Sequence, residues 1–363
     1  MADVYFASVK TDASLLDKVS DLYARVGDGI FKRQETVALK LHFGELGNTA
    51  FIRPVFVRRI VSEVKRRGGR PFLTDTNTLY VGKRGDSVDH LNTAIANGFG
   101  YAAVEAPIII ADGIKGKNSI DVEIKGKHVK TARIGADIFY ADSIVVISHV
   151  KGHMLAGFGG AIKNLGMGCA SRAGKQQQHS SVKPEVNASK CLGCMRCADF
   201  CQVDAIKKEK GKAVIDKQAC QGCGECTVSC PNGAIAIRWD SSSRDLQEKM
   251  ADYALAVLKN KRERSCFFNF LVDITPDCDC FNRSDAPIVP NIGILASRDP
   301  VAIDQASLDL IKKQVGLANS ALGKPLASGE DKFKALRGLD ATIQIRAAEG
   351  LGLGSRKYKL VEI

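Results

Sequence analysis

Eight cysteines between residues 191 and 230 fall into two copies of one pattern, Cys191-x2-Cys194-x2-Cys197-x3-Cys201 and Cys220-x2-Cys223-x2-Cys226-x3-Cys230-Pro231. A cubane iron–sulfur cluster takes four thiolates at tetrahedral corners. A CxxCxxC loop can wrap only three irons before the chain must leave, so the fourth ligand comes from elsewhere. In two-cluster proteins with this spacing the last cysteine of each run crosses to the other cluster. That rule assigns Cys191, Cys194, Cys197 and Cys230 to one 4Fe-4S cluster, and Cys220, Cys223, Cys226 and Cys201 to a second. The chemistry such a set supports is one-electron transfer. The repeat continues past the cysteines, with Asp204-Ala205-Ile206 echoed by Asn232-Gly233-Ala234-Ile235, and the first copy departs at Gln202, where the second has Pro231. Zinc knuckles and a disulfide framework are the alternatives. Zinc needs no third cysteine at this spacing, and disulfides imply an oxidising compartment.

Two further segments carry residues that a fold alone does not demand. The first is His149-Val150-Lys151-Gly152-His153, followed by the glycine-rich stretch Gly157 to Cys169 and then by Lys175 and His179. Glycines after a buried strand let backbone amides approach an anion closely, and a lysine beyond them supplies charge. Gly157, Gly159, Gly160, Lys163 and His179 are therefore candidates for holding a phosphate or cofactor, with His153 and Lys163 as candidate catalytic groups. Neither GxxxxGK[ST] nor GxGxxG occurs in the stretch, and glycines that merely permit close helix packing are the plainer reading. The second segment is Pro276-Asp277-Cys278-Asp279-Cys280. In a loop, Cys-x-Cys can chelate one ion with both sulfurs, so Cys278, Cys280 and Cys169 form a candidate further metal site. The alternative is ordinary buried cysteines, the expectation for Cys266 on its apolar strand.

Positioning these groups falls to an alternation of short apolar runs and amphipathic stretches: Val4 to Val9 then 12–26, Val37 to Phe43 then 53–67, Pro71 to Asp75 then 86–98. This is the cadence of strand–helix units in a largely parallel sheet. Ile120 to Ile124 and His128 to Ile134 read as a hairpin added to that sheet, and Ile144 to Ser148 as the buried strand that feeds the glycine turn. Beyond the cysteines the α/β pattern resumes: 243–260 as helix, Cys266 to Ile274 and Ile292 to Ala296 as strands, and 300–315 as a helix with Pro300 in its first turn and Asp299 as cap. His42, Asp75, Thr76 and Asp304 are expected to line a cleft at the strand ends. The expected organisation is an α/β body of residues 1–186 and 239–363, interrupted at 187–238 by a small α+β cluster-binding domain.

With 363 residues, 45% of them hydrophobic, the chain can bury a substantial core. The N-terminus reads directly into a strand and no run approaches the length of a membrane span, so a soluble, cytoplasmic protein in an anaerobe or a reducing cytosol is expected. The formal charge is +12, and two oxidised clusters would lower it to roughly +8. A basic surface suits an acidic electron carrier, a ferredoxin or flavodoxin, or an anionic small molecule. The densest run, Arg53, Arg58, Arg59, Lys65, Arg66, Arg67 and Arg70, alternates with apolar residues and reads as a solvated helix face. No nucleic-acid module accompanies it.

On these residues the chain resembles the family called domain of unknown function 362, iron–sulfur centre proteins in which a dicluster ferredoxin sits inside an α/β domain. The resemblance rests on His149 to His153, Gly157 to Cys169, Asp277 to Cys280 and Ser297-Arg298-Asp299-Pro300-Val301-Ala302-Ile303-Asp304. It implies the architecture and the clusters and supplies no reaction. A narrower similarity is to the nickel-pincer lactate racemases. There a catalytic histidine, a cofactor-anchoring lysine and a metal-ligand histidine follow a glycine-rich pattern at intervals of ten and sixteen residues, and His153, Lys163 and His179 stand at those intervals. That similarity implies a cleft for a nucleotide-derived or metal cofactor, although Cys169 and the cysteine insert have no counterpart in it.

The leading expectation is an oxidoreductase in which two clusters relay single electrons to or from a cleft near His153, Lys163 and His179. A non-catalytic electron-transfer or partner-binding subunit, and a cofactor-dependent isomerase, are the alternatives.

Overall fold

The computed structural model describes every residue except 81, 180–182, 202, 221–224 and 237–241, together with the side chains of Glu225 and Val228. Gln202 and Cys223 thus lie outside the described residues.

Eight strands form the main sheet: β1 (Ala2–Ser8), β2 (Thr36–Lys40), β3 (Arg70–Asp75), β4 (Ile108–Ile110), β5 (Ser143–His149), β6 (Ser265–Leu271), β7 (Gly293–Ser297) and β8 (Tyr358–Glu362). Their spatial order is β8-β1-β7-β6-β5-β2-β3-β4. Every neighbouring pair is parallel except the two made by β7, which runs against β1 and β6. The sheet is therefore largely parallel, and it draws strands from both sides of the cysteine insert.

β5 and β6 are buried at every position, as central strands covered on both faces must be. Alternate residues feed two separate cores: Ile144, Val146 and Phe267 pack on one face, and Val145, Ile147 and Phe268 on the other. Cys266 is core, fully buried. On helix α1 (Leu15–Val26), Ser14 caps by accepting from the Leu16 amide. Helix α2 (Pro54–Arg66) buries Phe56, Val57, Ile60, Val61 and Val64. Its basic face is answered by carboxylates, Arg58 by Glu105, Arg59 by Asp17, and Arg66 and Arg67 by Glu63. The hairpin pairs Ser119–Glu123 with Thr131–Gly135, yet it stands as its own two-stranded sheet and does not extend the main one. Among the described residues no helix is long and apolar enough to cross a bilayer.

The insert has a core of its own, made of Cys191, Cys197, Ile206, Ala213, Cys226, Ala234 and Ile235. Glu185–Val186 pairs antiparallel with Ile235–Ala236, and Ile206–Glu209 with Lys212–Ile215. Short helical turns at Arg196–Asp199 and Glu225–Ser229 complete the small α+β unit.

Candidate functional site

β5 delivers the chain to the site. Past His149 the backbone doubles back, Lys151–His153 pairing with Gly157–Gly159, and then enters the short helix α3 (Ala161–Gly166). The start of α3 is held from below by the fully buried Asp304, on the helix Pro300–Lys313. Its carboxylate accepts from the amides of Ala161 at 2.7 Å and Ile162 at 2.9 Å, and from the Asn269 side chain at 2.8 Å. Gly160 is required here, since a Cβ on it would sit 2.3 Å from Asp304 Oδ1. Asp304 was expected in the cleft wall, but it is a support beneath the turn. Burial raises its carboxyl to about 6. The next helix, α4 (Arg172–His179), ends at His179.

Between these elements, the ends of β2 and β3 and the loop 278–282 lies a cleft of about 940 Å3, the size of small-molecule and cofactor sites. His153, Lys163, His179, Gly159, Gly160, Cys278 and Cys280 all line it, as do His42, Asp75 and Thr76. Gly157 does not. Its φ of +74° is in the left-handed region, and a Cβ there would meet Ala341 at 2.8 Å, so this glycine serves the turn and its packing.

The cleft is cationic. Lys40, Lys83, Arg84, Lys151, Lys163 and Lys175 line it against Glu45 and Asp75. Lys40 is paired with Asp75 at 3.0 Å, Arg84 with Glu45 at 3.2 Å, and Lys151 with Asp279 at 2.9 Å. Lys163 differs: among the described residues no carboxylate pairs with it, and its ammonium reaches Cys278 Sγ at 3.8 Å. Lys40 and Arg84 were missed in the sequence. A lysine closing an apolar strand was a usable signal for the first, whereas Arg84 sits in a loop with no pattern to mark it.

Burial, reinforced by surrounding cations, holds the imidazoles of His42 and His153 well below the ordinary histidine range and lowers His179 to about 3. These rings are neutral at pH 7. The Nδ1 of His153 accepts from the amides of Leu155 at 3.2 Å and Ala156 at 3.1 Å, and that of His42 from Gly44 at 3.0 Å. The neutral rings of His153 and His42 therefore carry their protons on Nε2, as donors suited to an anionic ligand.

Cys278 and Cys280 lie on a turn, closed by the Phe281 amide donating to the Cys278 carbonyl at 3.1 Å. Asp279 between them is buried and fixed by His149 Nδ1 at 2.8 Å as well as by Lys151. Each thiol acts on the other, and that interaction, with Lys163 and Lys151 nearby, holds Cys278 well below the usual thiol range, while the same interaction and burial hold Cys280 well above it. Cys169 is not brought to this pair. It is buried beside the Asn164 carbonyl, 3.8 Å from its sulfur, with its thiol pushed up to about 11 by burial. Among the described residues, the one trio of metal-capable side chains with ligand atoms within 4.8 Å of one another is His128, Asp245 and Glu248, elsewhere on the body.

In the insert, Cys191, Cys194, Cys197 and Cys230 line one small cavity, so the last cysteine of the second run stands with the first run. The amides of Gly193 and Ala213 both donate to Cys191 Sγ at 3.4 Å and lower its thiol. The two copies match in detail: Ala205 donates to Cys201 Sγ and Ala234 to Cys230 Sγ, each at 3.2 Å, and Asp204 and Gly233 both adopt positive φ. Of the other set, Cys201, Cys220 and Cys226 are described and Cys223 is not. No disulfide joins the described cysteines. Thiols converging on one cavity with amides aimed at sulfur fit a thiolate-bound cluster, whose four ligands here would be Cys191, Cys194, Cys197 and Cys230.

Residues 37–309 match the family described as Domain of unknown function (DUF362). The chain belongs to this family. This DUF362 chain is also 42% identical over 50 residues to an uncharacterized ferredoxin of Methanocaldococcus jannaschii, covering 13% of the chain and 33% of that protein. It is 34% identical over 79 residues to pyruvate synthase subunit PorD of Methanothermobacter marburgensis, covering 22% of the chain and 90% of that protein. The chain thus spans a third of the first relative's length and most of the second's. The insert is of the ferredoxin type, the class of iron–sulfur electron-transfer modules. Among solved structures, the lactate racemase apoprotein of Thermoanaerobacterium thermosaccharolyticum is similar with a TM-score of 0.41 and 13% identity, over 74% of this chain and 51% of that one.

Proposed function

We propose that this DUF362 protein is an iron–sulfur oxidoreductase in which single electrons pass between an external carrier and an anionic ligand in the α/β cleft. The observation that carries the reading is the chain path: His179, which lines the cleft, ends α4, and the first insert strand begins at Glu185. The ferredoxin-type insert therefore begins within six residues of a cleft-lining histidine, and Lys117 packs 4.9 Å over its Phe200 ring. Two 4Fe-4S clusters, held by Cys191, Cys194, Cys197 and Cys230 and by Cys220, Cys223, Cys226 and Cys201, would supply one-electron chemistry. The chain's own residues do the rest. Lys163, His153 and His42 bind and orient an anion, and Arg84 and Lys40 keep their carboxylate partners from opposing it. The net charge of +12 suits an acidic ferredoxin or flavodoxin as carrier.

Iron and sulfide analysis with native mass spectrometry under anaerobic conditions tests this. About eight of each per chain, plus a co-purifying anion that Lys163→Ala releases, is the expected result. Iron and sulfide alone, with no ligand retained by the cleft, returns the protein to the class of non-catalytic carriers.

A second reading, a cofactor-dependent isomerase, is favoured by one observation: His153, Lys163 and His179, at intervals of ten and sixteen residues, line the same cleft. A covalent adduct on the peptide containing Lys163 would select it.

A further inference from the structure

We propose that Cys278 and Cys280 are a redox-active dithiol in the cleft, which closes to a disulfide and reopens by taking two electrons, one at a time, from the iron–sulfur insert. The inference rests on the relay reading above and deepens it by naming the group inside the cleft that holds the electrons.

Geometry carries the argument. Both residues line the cleft, and the intervening backbone is a turn closed by the Phe281 amide on the Cys278 carbonyl at 3.1 Å. Asp279 is anchored to His149 and Lys151 on one side, and its carbonyl accepts the Glu45 amide at 2.9 Å. The turn is therefore rigid, and it carries its two cysteines two residues apart on the same cleft wall, where each thiol acts on the other. The Lys163 ammonium, 3.8 Å from Cys278 Sγ, has no carboxylate partner among the described residues and stabilises a thiolate there. Cys280, whose thiol is pushed up by Cys278 and by burial, is the member that keeps its proton. Cysteines that only fill space behave differently: Cys169 and Cys266 are buried, and burial pushes both thiols up despite Lys40 near the first and Arg298 near the second.

The balance is simple. The Cys278–Cys280 S–S bond takes two electrons and one proton and breaks to give the Cys278 thiolate, paired with Lys163, and the Cys280 thiol. The reverse closes the bond and returns both electrons. A pair of one-electron donors in the insert is matched to a two-electron acceptor, and the substrate class that fits is a disulfide or other two-electron acceptor bearing negative charge.

The test uses the whole protein, purified anaerobically and oxidised with diamide. Trypsin releases residues 265–283 as one peptide containing Cys266, Cys278 and Cys280. We expect alkylation at Cys266 alone after oxidation, the peptide being lighter by the two hydrogens of a disulfide. Alkylation at all three should return after reduced methyl viologen is added to wild type, and should fail to return in Cys194→Ser, which lacks an insert ligand. Three free thiols after oxidation overturn the inference and leave the relay reading standing. A disulfide opened by a phosphine but not by viologen in wild type overturns the coupling and the relay reading together. A metal ion beyond the iron of the insert, lost in both Cys278→Ser and Cys280→Ser, overturns it in favour of a thiolate metal centre. Cys278→Ser also serves as the control in which the shift in peptide mass must vanish.

Discussion

Around β5 and β6 every side chain is shut away from water between two broad apolar layers, whereas the buried set of the insert consists of three cysteines, two alanines and two isoleucines. The body pays for its polar cleft with that apolar mass: Lys40, Arg84, Lys151 and Asp279 are all buried, and each is held by a partner of opposite charge. An insert of roughly fifty residues has no such reserve, since units this small rarely fold on apolar burial alone. Its stability must come from what the thiolates bind. Two regions of one chain are thus organised by different forces, and they should fail under different insults.

The largest contrast is metal removal. Chelation of iron under reducing, anaerobic conditions should abolish amide-exchange protection across Ile206–Ile215 and Ile235–Ala236 while protection of β5 and β6 persists. Loss of protection in both regions at once would show that the body leans on the insert. Next is Asp279→Ala, which strands Lys151 and His149 in the interior; urea unfolding should show the body destabilised by about 3–5 kcal/mol, with the iron content unchanged. Asp304→Ala leaves the Ala161 and Ile162 amides and the Asn269 side chain without an acceptor and should cost about 2 kcal/mol in the same assay.

A gentler effect follows pH. His90 and His179 are lowered to about 3, below the ordinary value of about 6.5, with burial as the first cause, and His42 and His153 move in the same direction. The unfolded chain binds protons that the folded chain refuses, so stability is present above about pH 6.5 and is lost as pH falls toward 3. Asp112 and Asp304, raised to about 6 by burial, oppose this, being two groups with smaller shifts. The melting temperature of the body should therefore fall between pH 7 and 5, and a rise on acidification would contradict neutral cleft histidines. Smallest is Arg53→Ala, which removes an exposed pair with Asp273 at 3.1 Å and should change stability by less than about 1 kcal/mol.

Much of the fold was legible because its units are local. Apolar runs such as Val37–Leu41 and amphipathic stretches such as 53–67 announce strand and helix by period alone. What period cannot show is order in space. Nothing in Gly293–Ser297 marks it as the one antiparallel strand of the sheet, and nothing in Ser119–Gly135 says that its hairpin stands apart. The site divides similarly. His153, Lys163, His179, Cys278 and Cys280 stood out by type and spacing and share one cleft. Arg84 and Tyr80 enter it from a loop whose path only the tertiary structure sets. Asp304 was noticed for its charge, but its place under the α3 amides depends on how the helix Pro300–Lys313 crosses beneath the glycine turn.

Glu185–Val186 and Ile235–Ala236 hydrogen-bond side by side, so the first and last described strands of the insert meet in a narrow neck. A loop closed in this manner can be exchanged as a cassette: a short linker across that neck should let residues 1–179 and 243–363 assemble the same sheet, and a foreign module with adjacent ends could be spliced in without repacking either apolar layer. Evolution could then trade one electron-delivery unit for another while the cleft remained unaltered.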